Sequence, residues 1–351
     1  MNWASDVASL DLAGTAVAAP IAVAEIDAGD FTIALEQERI LGVGIRAYED
    51  GSLTMPEAAA ESLQARHDLA MAQSMRAELM TRHVSVTLND QGIRHRLLKG
   101  ASLAHTVARD PNERSFRDVD VLVPSADVDA AVALFEKQGA KRLQRELRPG
   151  FDARFGKSVT LRHEDVEIDI HRLLAPGPFG VWMHPDDLFV LIDHVVIGGV
   201  SVPTLDRTDH VIHACYHVAL GQVSPVLSNI RDIALLVEGD IDWDRFDQTV
   251  DRWQGTAVIQ RAATLLRSRL DTDVPDHLDR YRSATVVADE RTAIGPYLTE
   301  DPSGRFAALA QATLRTLPLS DRASYARAVG FPEGSDPVDR LKTIVDKVRP
   351  N

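Results

Sequence analysis

The decisive stretch of the chain is residues 117–123, which read Arg-Asp-Val-Asp-Val-Leu-Val. Its β-branched residues predict a strand. Because side chains alternate across a strand, Asp118 and Asp120 share one face, and Val119 and Val121 point into a core on the other. Two adjacent carboxylates repel each other and are stabilised by a cation, and hard oxygen ligands favour Mg²⁺ or Mn²⁺. The alternative is the polar face of an ordinary half-exposed strand.

A second strand with the same alternation is predicted at residues 167–171, Glu-Ile-Asp-Ile-His. Glu167, Asp169 and His171 would share one face of it. If this strand lies beside the first, Asp169 becomes a third carboxylate of the same cluster. Three carboxylates suit a two-metal phosphoryl-transfer site, in which Asp169 binds one metal and takes the proton of an attacking hydroxyl. An ordinary amphipathic strand is the alternative.

A candidate phosphate-binding turn lies at residues 97–102, Leu-Leu-Lys-Gly-Ala-Ser. The pattern predicts a strand that ends at Gly100 and a helix that follows directly. Backbone N–H groups at such a turn can bind phosphate, because glycine permits close approach, and Lys99 would neutralise triphosphate charge. The turn lacks the Gly-x-x-x-x-Gly-Lys-Ser/Thr pattern of a Walker A loop. A turn glycine beside a surface lysine is the alternative.

Helical and strand patterns divide the chain into three parts. Residues 1–92 predict an N-terminal helical region, and residues 93–175 alternate short strands with helices. Residues 176–351 predict a C-terminal helical domain, with a helical tail to Val348 that is broken by prolines. The middle part fits a small mixed sheet with helices packed on it. The predicted fold class is therefore α+β, with helical regions at both ends.

The charge balance excludes some classes of function. The 351 residues include 38 Lys and Arg against 52 Asp and Glu, a formal net charge of −14. Such a chain repels polyanions, which argues against a general nucleic-acid binder or a membrane-surface protein. The single Cys215 cannot form an internal disulfide, and no Lys or Arg precedes the small apolar stretch 12–24, as one would in a secretory signal. We therefore expect a cytoplasmic protein.

Taken in order, the motifs carry a resemblance. They are Leu98-Lys99-Gly100, Arg114 four residues before Asp118, the strand 118–123, Gly139, Asp169-Ile170-His171, the His-rich segment 210–217, Arg231-Asp232-Ile233-Ala234-Leu235-Leu236 and Asp242-Trp243. This combination resembles the uncharacterised bacterial nucleotidyltransferase family of the DNA polymerase beta superfamily, over roughly residues 64 to 331. The resemblance implies a nucleotidyltransferase-type fold.

The resemblance also implies a reaction. A nucleoside triphosphate, with ATP as the expected donor, would bind together with Mg²⁺ or Mn²⁺. An acceptor hydroxyl activated by Asp169 would attack the α-phosphate and release pyrophosphate. The family often has glycine where Arg117 stands, so this guanidinium either serves the triphosphate or pairs with a carboxylate. The implied catalytic residues and metal ligands are Asp118, Asp120 and Asp169; the implied nucleotide-binding residues are Lys99, Gly100, Ser102, Arg114 and Arg117.

The acceptor and the exact role of the chain stay open at this level. The acidic surface favours a small molecule, a peptide or a protein over a long nucleic acid, and a tRNA end is a further option. His171 and Glu167 would contact the acceptor or support the carboxylates. The alternative function is a catalytically idle scaffold that binds nucleotides or regulates. A metal-dependent hydrolase and a purely structural helical protein are weaker rivals.

Three histidines fall on one face of a predicted helix, His210, His213 and His217. We expect a partly buried polar face there, because no Cys or Glu-x-x-His pattern supports a zinc site. A place for His213 or Arg231 in the acceptor cleft is a further option.

Overall fold

The computed structural model describes residues 3–15, 20–299 and 302–334. Residues 16–19 of the apolar stretch, and the part of the predicted helical tail beyond residue 334, lie outside these described residues. The described chain combines many helices with a seven-stranded mixed sheet, which confirms the predicted α+β class. Within the described ranges, every helix is too short or too polar to cross a bilayer.

The N-terminal part contains four helices and a pair of short parallel strands. The helices are α1 Trp3–Ser9, α2 Ala28–Gln37, α3 Leu41–Glu49 and α4 Glu57–Asp90, and the strands are β1 Ile21–Ala22 and β2 Leu53–Thr54. Helix α4 spans 34 residues. It begins directly after Pro56, and it is rich in Ala, Leu, Met, Glu and Arg, which are strong helix formers.

A mixed sheet of seven strands forms the centre of the molecule. The strands are β3 Arg96–Leu97, β4 Asp118–Leu122, β5 Lys141–Arg142, β6 Ser158–His163, β7 Val166–His171, β8 Asp193–Ile197 and β9 Val200–Thr204, in the spatial order β5-β6-β7-β4-β3-β9-β8. Strand β4 pairs in parallel with β7 and antiparallel with β3. The decisive stretch therefore lies between the strand that leads to Gly100 and the strand that carries Asp169.

Strands β8 and β9 lie within the residues predicted as a C-terminal helical domain, yet they extend the sheet. Strand β9 pairs in parallel with β3, and β8 pairs antiparallel with β9. Gly198 and Gly199 connect the two strands, and both have positive φ angles, 54° and 78°. Such a two-residue hairpin turn favours glycine because other residues are strained there. The sheet thus continues past residue 175, while the division of the chain into three domains stays a prediction.

Helices flank the sheet and make up most of the C-terminal part. They are α5 Ala101–Thr106, α6 Val128–Lys137, α7 Phe151–Phe155, α8 Phe179–Trp182, α9 Arg207–Leu220, α10 Leu227–Val237, α11 Trp243–Arg252, α12 Thr256–Arg269, α13 Asp276–Asp279, α14 Ala288–Leu298, α15 Pro302–Thr316 and α16 Leu319–Gly330. Short 3₁₀ segments lie at Glu25–Asp27, Pro111–Glu113, Ser125–Asp127, Pro185–Phe189 and Arg280–Ser283. The predicted breaks occur at Pro318, which separates α15 from α16, and at Pro332, which follows α16.

Hydrophobic cores lie on both faces of the sheet. Val119 and Val121 of β4 belong to the core that includes residues of α4 and α6. Leu122 belongs to the other core, which includes residues of α9 and α10. Because side chains alternate along β4, Asp118 and Asp120 lie on the face toward the C-terminal helices.

A buried ion pair fastens the loop before β4 to α10. Arg114 Nε and Nη2 donate to the two carboxylate oxygens of Asp232 at 2.8 and 2.7 Å, and Arg114 Nη1 donates to the Gly100 carbonyl at 3.2 Å. Burial alone would lower the pKa of Arg114, but the carboxylate of Asp232 raises it. The charged guanidinium therefore connects the Gly100 turn, the entry to β4 and the C-terminal helices.

We expect Arg114→Lys to lower the free energy of unfolding by about 3 kcal/mol, because a lysine ammonium cannot make the two parallel contacts and leaves a buried carboxylate poorly paired. Urea denaturation followed by circular dichroism measures the change. Arg145→Lys, at a side chain that is 74% exposed, is the control and should change stability by no more than about 0.5 kcal/mol. Equal stability of Arg114→Lys and wild type would show that the paired contacts contribute nothing.

Candidate active site

The parallel pairing of β4 and β7 brings the predicted carboxylates together. Asp120 lies opposite Asp169 in the register, and Asp118 lies opposite Glu167. The two predicted strands therefore lie side by side, which is what brings Asp169 into the same cluster as Asp118 and Asp120. Asp120 is 2% exposed, whereas the side chain of Asp118 is 39% exposed. The cluster thus has a buried end at Asp120 and an open end at Asp118.

Two residues compensate the buried charge of Asp120. Lys99 Nζ lies 2.8 Å from Asp120 Oδ2 and 3.6 Å from Asp118 Oδ2, and His171 Nε2 donates to Asp120 Oδ1 at 2.8 Å. Burial alone would raise the pKa of Asp120, but Lys99 and His171 hold it well below its usual range. Burial would likewise lower the pKa of Lys99, yet Asp120 and Asp118 raise it. A charged carboxylate and a charged ammonium therefore meet inside the protein.

Asp169 has a different environment. Its Oδ1 accepts a hydrogen bond from Thr160 Oγ1 on the neighbouring strand β6. Burial, and then the nearby charge of Asp120, raise the pKa of Asp169 above its usual value. The two central carboxylates thus differ, because Asp120 is held ionised while Asp169 is a stronger base than an ordinary aspartate.

A group of potential metal ligands lies at the centre of this arrangement. Asp120, Asp169 and His171 each offer one ligand atom, and these atoms lie within 4.8 Å of one another. Among the described residues this is the one group of three or more such side chains. Carboxylate oxygens and an imidazole nitrogen form a donor set that fits a divalent cation, and His171 Nε2 would join it on losing the proton that it donates to Asp120. Asp118, which the sequence predicts as a ligand, is not part of this group and faces Lys99 instead.

The predicted phosphate-binding residues fall into two sets. Lys99 contacts the carboxylates, and Gly100 follows it at a turn with φ +61°, a conformation that favours glycine. The side chain of Ser102 is fully buried and is hydrogen-bonded to Thr204 Oγ1 at 2.7 Å and His210 Nε2 at 3.2 Å. Arg114 is engaged with Asp232. The structure thus brings Lys99 and Gly100 to the carboxylates, while the side chains of Ser102 and Arg114 have structural partners elsewhere.

Arg117 and Glu167 lie at the open end of the cluster. Arg117 is exposed and Glu167 is half-buried, and both line a cavity of about 490 Å³ beside Asp118. Glu167 forms an ion pair with Arg162 on β6. Arg117 has no hydrogen bond or ion pair with any residue in the described part of the chain.

Lys157, at the start of β6, is a site residue that the sequence analysis missed. Burial lowers its pKa, and it interacts electrostatically with Lys99, Asp120 and Asp169. No carboxylate oxygen of the described residues lies within ion-pair distance of it. A single lysine after Gly156 gives no local signal, because only the pairing of β6 with β7 brings it to the carboxylates.

The histidine face of α9 is buried, as expected, and it lies toward the same site. His210 and His213 are each 4% exposed. Burial lowers the pKa of His210 to about 3. It also lowers the pKa values of His213 and His217, and the charge of Lys99 lowers both further. These imidazoles are neutral, and His217 Nε2 lies 3.2 Å from Asn229 Nδ2.

Comparison with known proteins supplies the family. A family model described as uncharacterised nucleotidyltransferase matches residues 24–271, more than half of the chain, which confirms the resemblance carried by the motifs. No curated protein matches the chain. The chain is also similar to a solved structure, an antigenic nucleotidyltransferase-like protein from Paracoccidioides brasiliensis, with 13% identity, a TM-score of 0.32, and coverage of 56% of this chain and 93% of that chain. Similarity at this level carries no argument about the site.

The buried histidines predict a loss of stability in acid. His210 takes up a proton near pH 6.5 when unfolded but only near pH 3 when folded, so the unfolded state binds more protons between these values. Stability is therefore full above pH 6.5 and falls as the pH drops toward 3. We expect His210→Gln to reduce the slope of unfolding free energy against pH by up to about 1.4 kcal/mol per pH unit. Urea denaturation at several pH values measures this slope.

His194→Gln, which removes an exposed imidazole from β8, is the matched control. It should leave the slope unchanged. An unaltered slope in His210→Gln would mean that the buried imidazole does not govern acid stability.

Proposed function

This chain belongs to the uncharacterised nucleotidyltransferase family, and we propose that it moves a nucleoside monophosphate from a nucleoside triphosphate to a hydroxyl-bearing acceptor. ATP is the expected donor, and a small molecule, a peptide or a protein is the expected acceptor. The observation that carries the proposal is the register of β4 and β7, which sets Asp120 opposite Asp169 with Asp118 beside them. Carboxylates in this arrangement are the ligand type that phosphoryl-transfer sites use for Mg²⁺ or Mn²⁺.

The donor set supports a divalent cation. Asp120 and Asp169 would hold it, with His171 at the buried side and Asp118 at the open side. When bound, such a cation would neutralise triphosphate charge and lower the pKa of an acceptor hydroxyl.

Lys99 has two roles in the proposed reaction. Its ammonium lies between the carboxylates of Asp118 and Asp120 and balances their charge. A divalent cation held by these carboxylates would weaken the contacts of Lys99, because it would repel the ammonium beside it. The ammonium would then be available to neutralise the β- and γ-phosphates near the Gly100 turn.

Asp169 acts as the general base. Thr160 donates a hydrogen bond to its carboxylate and fixes the orientation in which it takes the proton of the acceptor hydroxyl. The acceptor oxygen then forms a bond to the α-phosphorus, the bond to the bridging oxygen breaks, and pyrophosphate leaves with the electron pair. The proton stays on Asp169 until solvent removes it.

A catalytically idle scaffold is the second candidate. The engaged side chains of Ser102 and Arg114 favour it, since both were expected to hold the nucleotide. Nucleotide binding without pyrophosphate release would identify this case.

The test of transfer uses each α-labelled nucleoside triphosphate with Mg²⁺ or Mn²⁺ and a lysate of the host. We expect label to move to a lysate component with the wild type, and at least about 100-fold more slowly with Asp120→Asn or Asp169→Asn, because the first loses a metal ligand and the second loses the base. Asp129→Asn, an exposed carboxylate on α6, is the matched control and should transfer like the wild type. Undiminished transfer by Asp120→Asn would place the chemistry on other residues.

The competition between Lys99 and a metal predicts a gain of binding. Without nucleotide, we expect Lys99→Met to bind Mn²⁺ about tenfold more tightly than the wild type, because no ammonium occupies the space between the carboxylates. Electron paramagnetic resonance of free Mn²⁺ measures the affinity. Lys141→Met, an exposed lysine on β5, serves as the control. Equal or weaker Mn²⁺ binding by Lys99→Met would refute the competition.

A further inference from the structure

A cleft beside Asp118 joins the N-terminal helices to the carboxylate cluster. It is the cavity of about 490 Å³ already described, and we call it the arginine cleft after three of its lining residues, Arg39, Arg66 and Arg117. Arg39 follows α2, Arg66 lies on α4, and Arg117 directly precedes β4. The family match begins at residue 24, so all three lie within it.

Two of the three arginines have no partner. Arg66 pairs with Glu36. The guanidiniums of Arg39 and Arg117 come from separate elements, and neither has a hydrogen bond or ion pair with the residues that the structure describes. Burial, and then repulsion by the Arg117 guanidinium, lower the pKa of Arg39, and the charge of Asp118 opposes them only in part. An anion between them would remove this repulsion.

Asp118 interacts with Arg39 electrostatically, but no acidic residue in the described lining of the cleft lies within ion-pair distance of Arg39 or Arg117. Glu36 is paired with Arg66, Glu167 with Arg162, and Asp118 faces Lys99 at 3.6 Å. Asp165 alone among the acidic lining residues lacks a cationic partner in the described chain. The two free guanidiniums therefore outweigh the free carboxylate.

Two further features of the cleft concern Leu69, which suits an organic ligand, and the backbone of Arg39. Leu69 lines the cleft and is 63% exposed, next to Leu41 and Ala70, so one wall is apolar. Arg39 has a left-handed backbone conformation, φ +57°, at the end of α2, a place that favours glycine. An arginine in this conformation strains the backbone, and its guanidinium lies at the mouth of the carboxylate cluster.

We propose that the arginine cleft binds a phosphate-bearing part of a substrate, with Arg39 and Arg117 as its anion ligands and the Leu69 wall against its organic part. The proposal deepens the proposed function and rests on it, because the cleft opens directly onto Asp118. Arginine suits this role since its planar fork binds phosphate oxygens in pairs. The phosphate belongs either to the triphosphate of the donor or to a phosphorylated acceptor.

The test measures binding without turnover. Calorimetry gives the affinities of ATP with Mg²⁺, inorganic tripolyphosphate and adenosine for the wild type, Arg39→Gly and Arg117→Gln. For a donor phosphate we expect ATP and tripolyphosphate to bind about tenfold more weakly to both variants, while the affinity for adenosine is unchanged. For an acceptor phosphate we expect unchanged ATP affinity and about tenfold weaker binding of inorganic phosphate to protein saturated with a non-hydrolysable ATP analogue.

Folding and binding are separated by the choice of variant. Glycine fits the left-handed conformation at residue 39, so Arg39→Gly should melt at a temperature no lower than that of the wild type. Arg145→Gln, an exposed arginine outside the cleft, should bind every probe like the wild type.

If Arg39→Gly and Arg117→Gln bind all probes with unchanged affinity, the proposal that the arginine cleft binds phosphate is refuted, even if label transfer establishes the proposed function. Conversely, arginine-dependent phosphate binding in a chain that transfers no nucleotide would support the cleft and count against the reaction. The two proposals can therefore fail separately.

Discussion

The structure depends on one buried carboxylate, that of Asp120. Removing a carboxylate from water costs several kcal/mol unless cations and hydrogen-bond donors surround it. Lys99, just after β3, and His171, at the end of β7, supply these partners at 2.8 Å each. Both are distant from Asp120 in sequence, so the charge is compensated only when β3, β4 and β7 lie side by side. The need to compensate the charge of Asp120 therefore constrains both the order of the central strands and the chemistry of the site.

The strands of the site could be predicted because alternation is a local property. In residues 118–121 and 167–171 polar and apolar side chains alternate, so the faces follow from the two-residue period alone. The sequence alone left open whether these two strands are neighbours, and the structure pairs them with Asp120 opposite Asp169. Lys99 was predicted to bind triphosphate, whereas its contact with the carboxylates depends on the antiparallel pairing of β3 with β4, which no local pattern shows.

Most features of the site that the sequence analysis did not predict depend on contacts between residues distant in sequence. The roles of Arg114 and Ser102 are set by Asp232 and Thr204, which lie 118 and 102 residues away, and no local pattern reveals such contacts. Lys157 and Arg39 reach the site only through the packing of their elements. The β8–β9 hairpin is different, because Gly198-Gly199 between β-branched runs is a turn signal in its own right. Its place in the sheet still required β3 as a neighbour.

The net charge of −14 is compatible with a cationic mouth of the site. The net charge adds up all charged side chains, whereas the local charge depends on which of them lie at the mouth. Most acidic side chains near the mouth are already paired, as Glu36 and Glu167 are. Arg39 and Arg117 remain, and beyond a Debye length of about 10 Å the rest of the surface is screened from a ligand bound between them. A long nucleic acid would have to follow the acidic surface, whereas a nucleotide needs only the cleft. Under the proposed function, the same charge distribution therefore favours a compact anion over an extended polyanion.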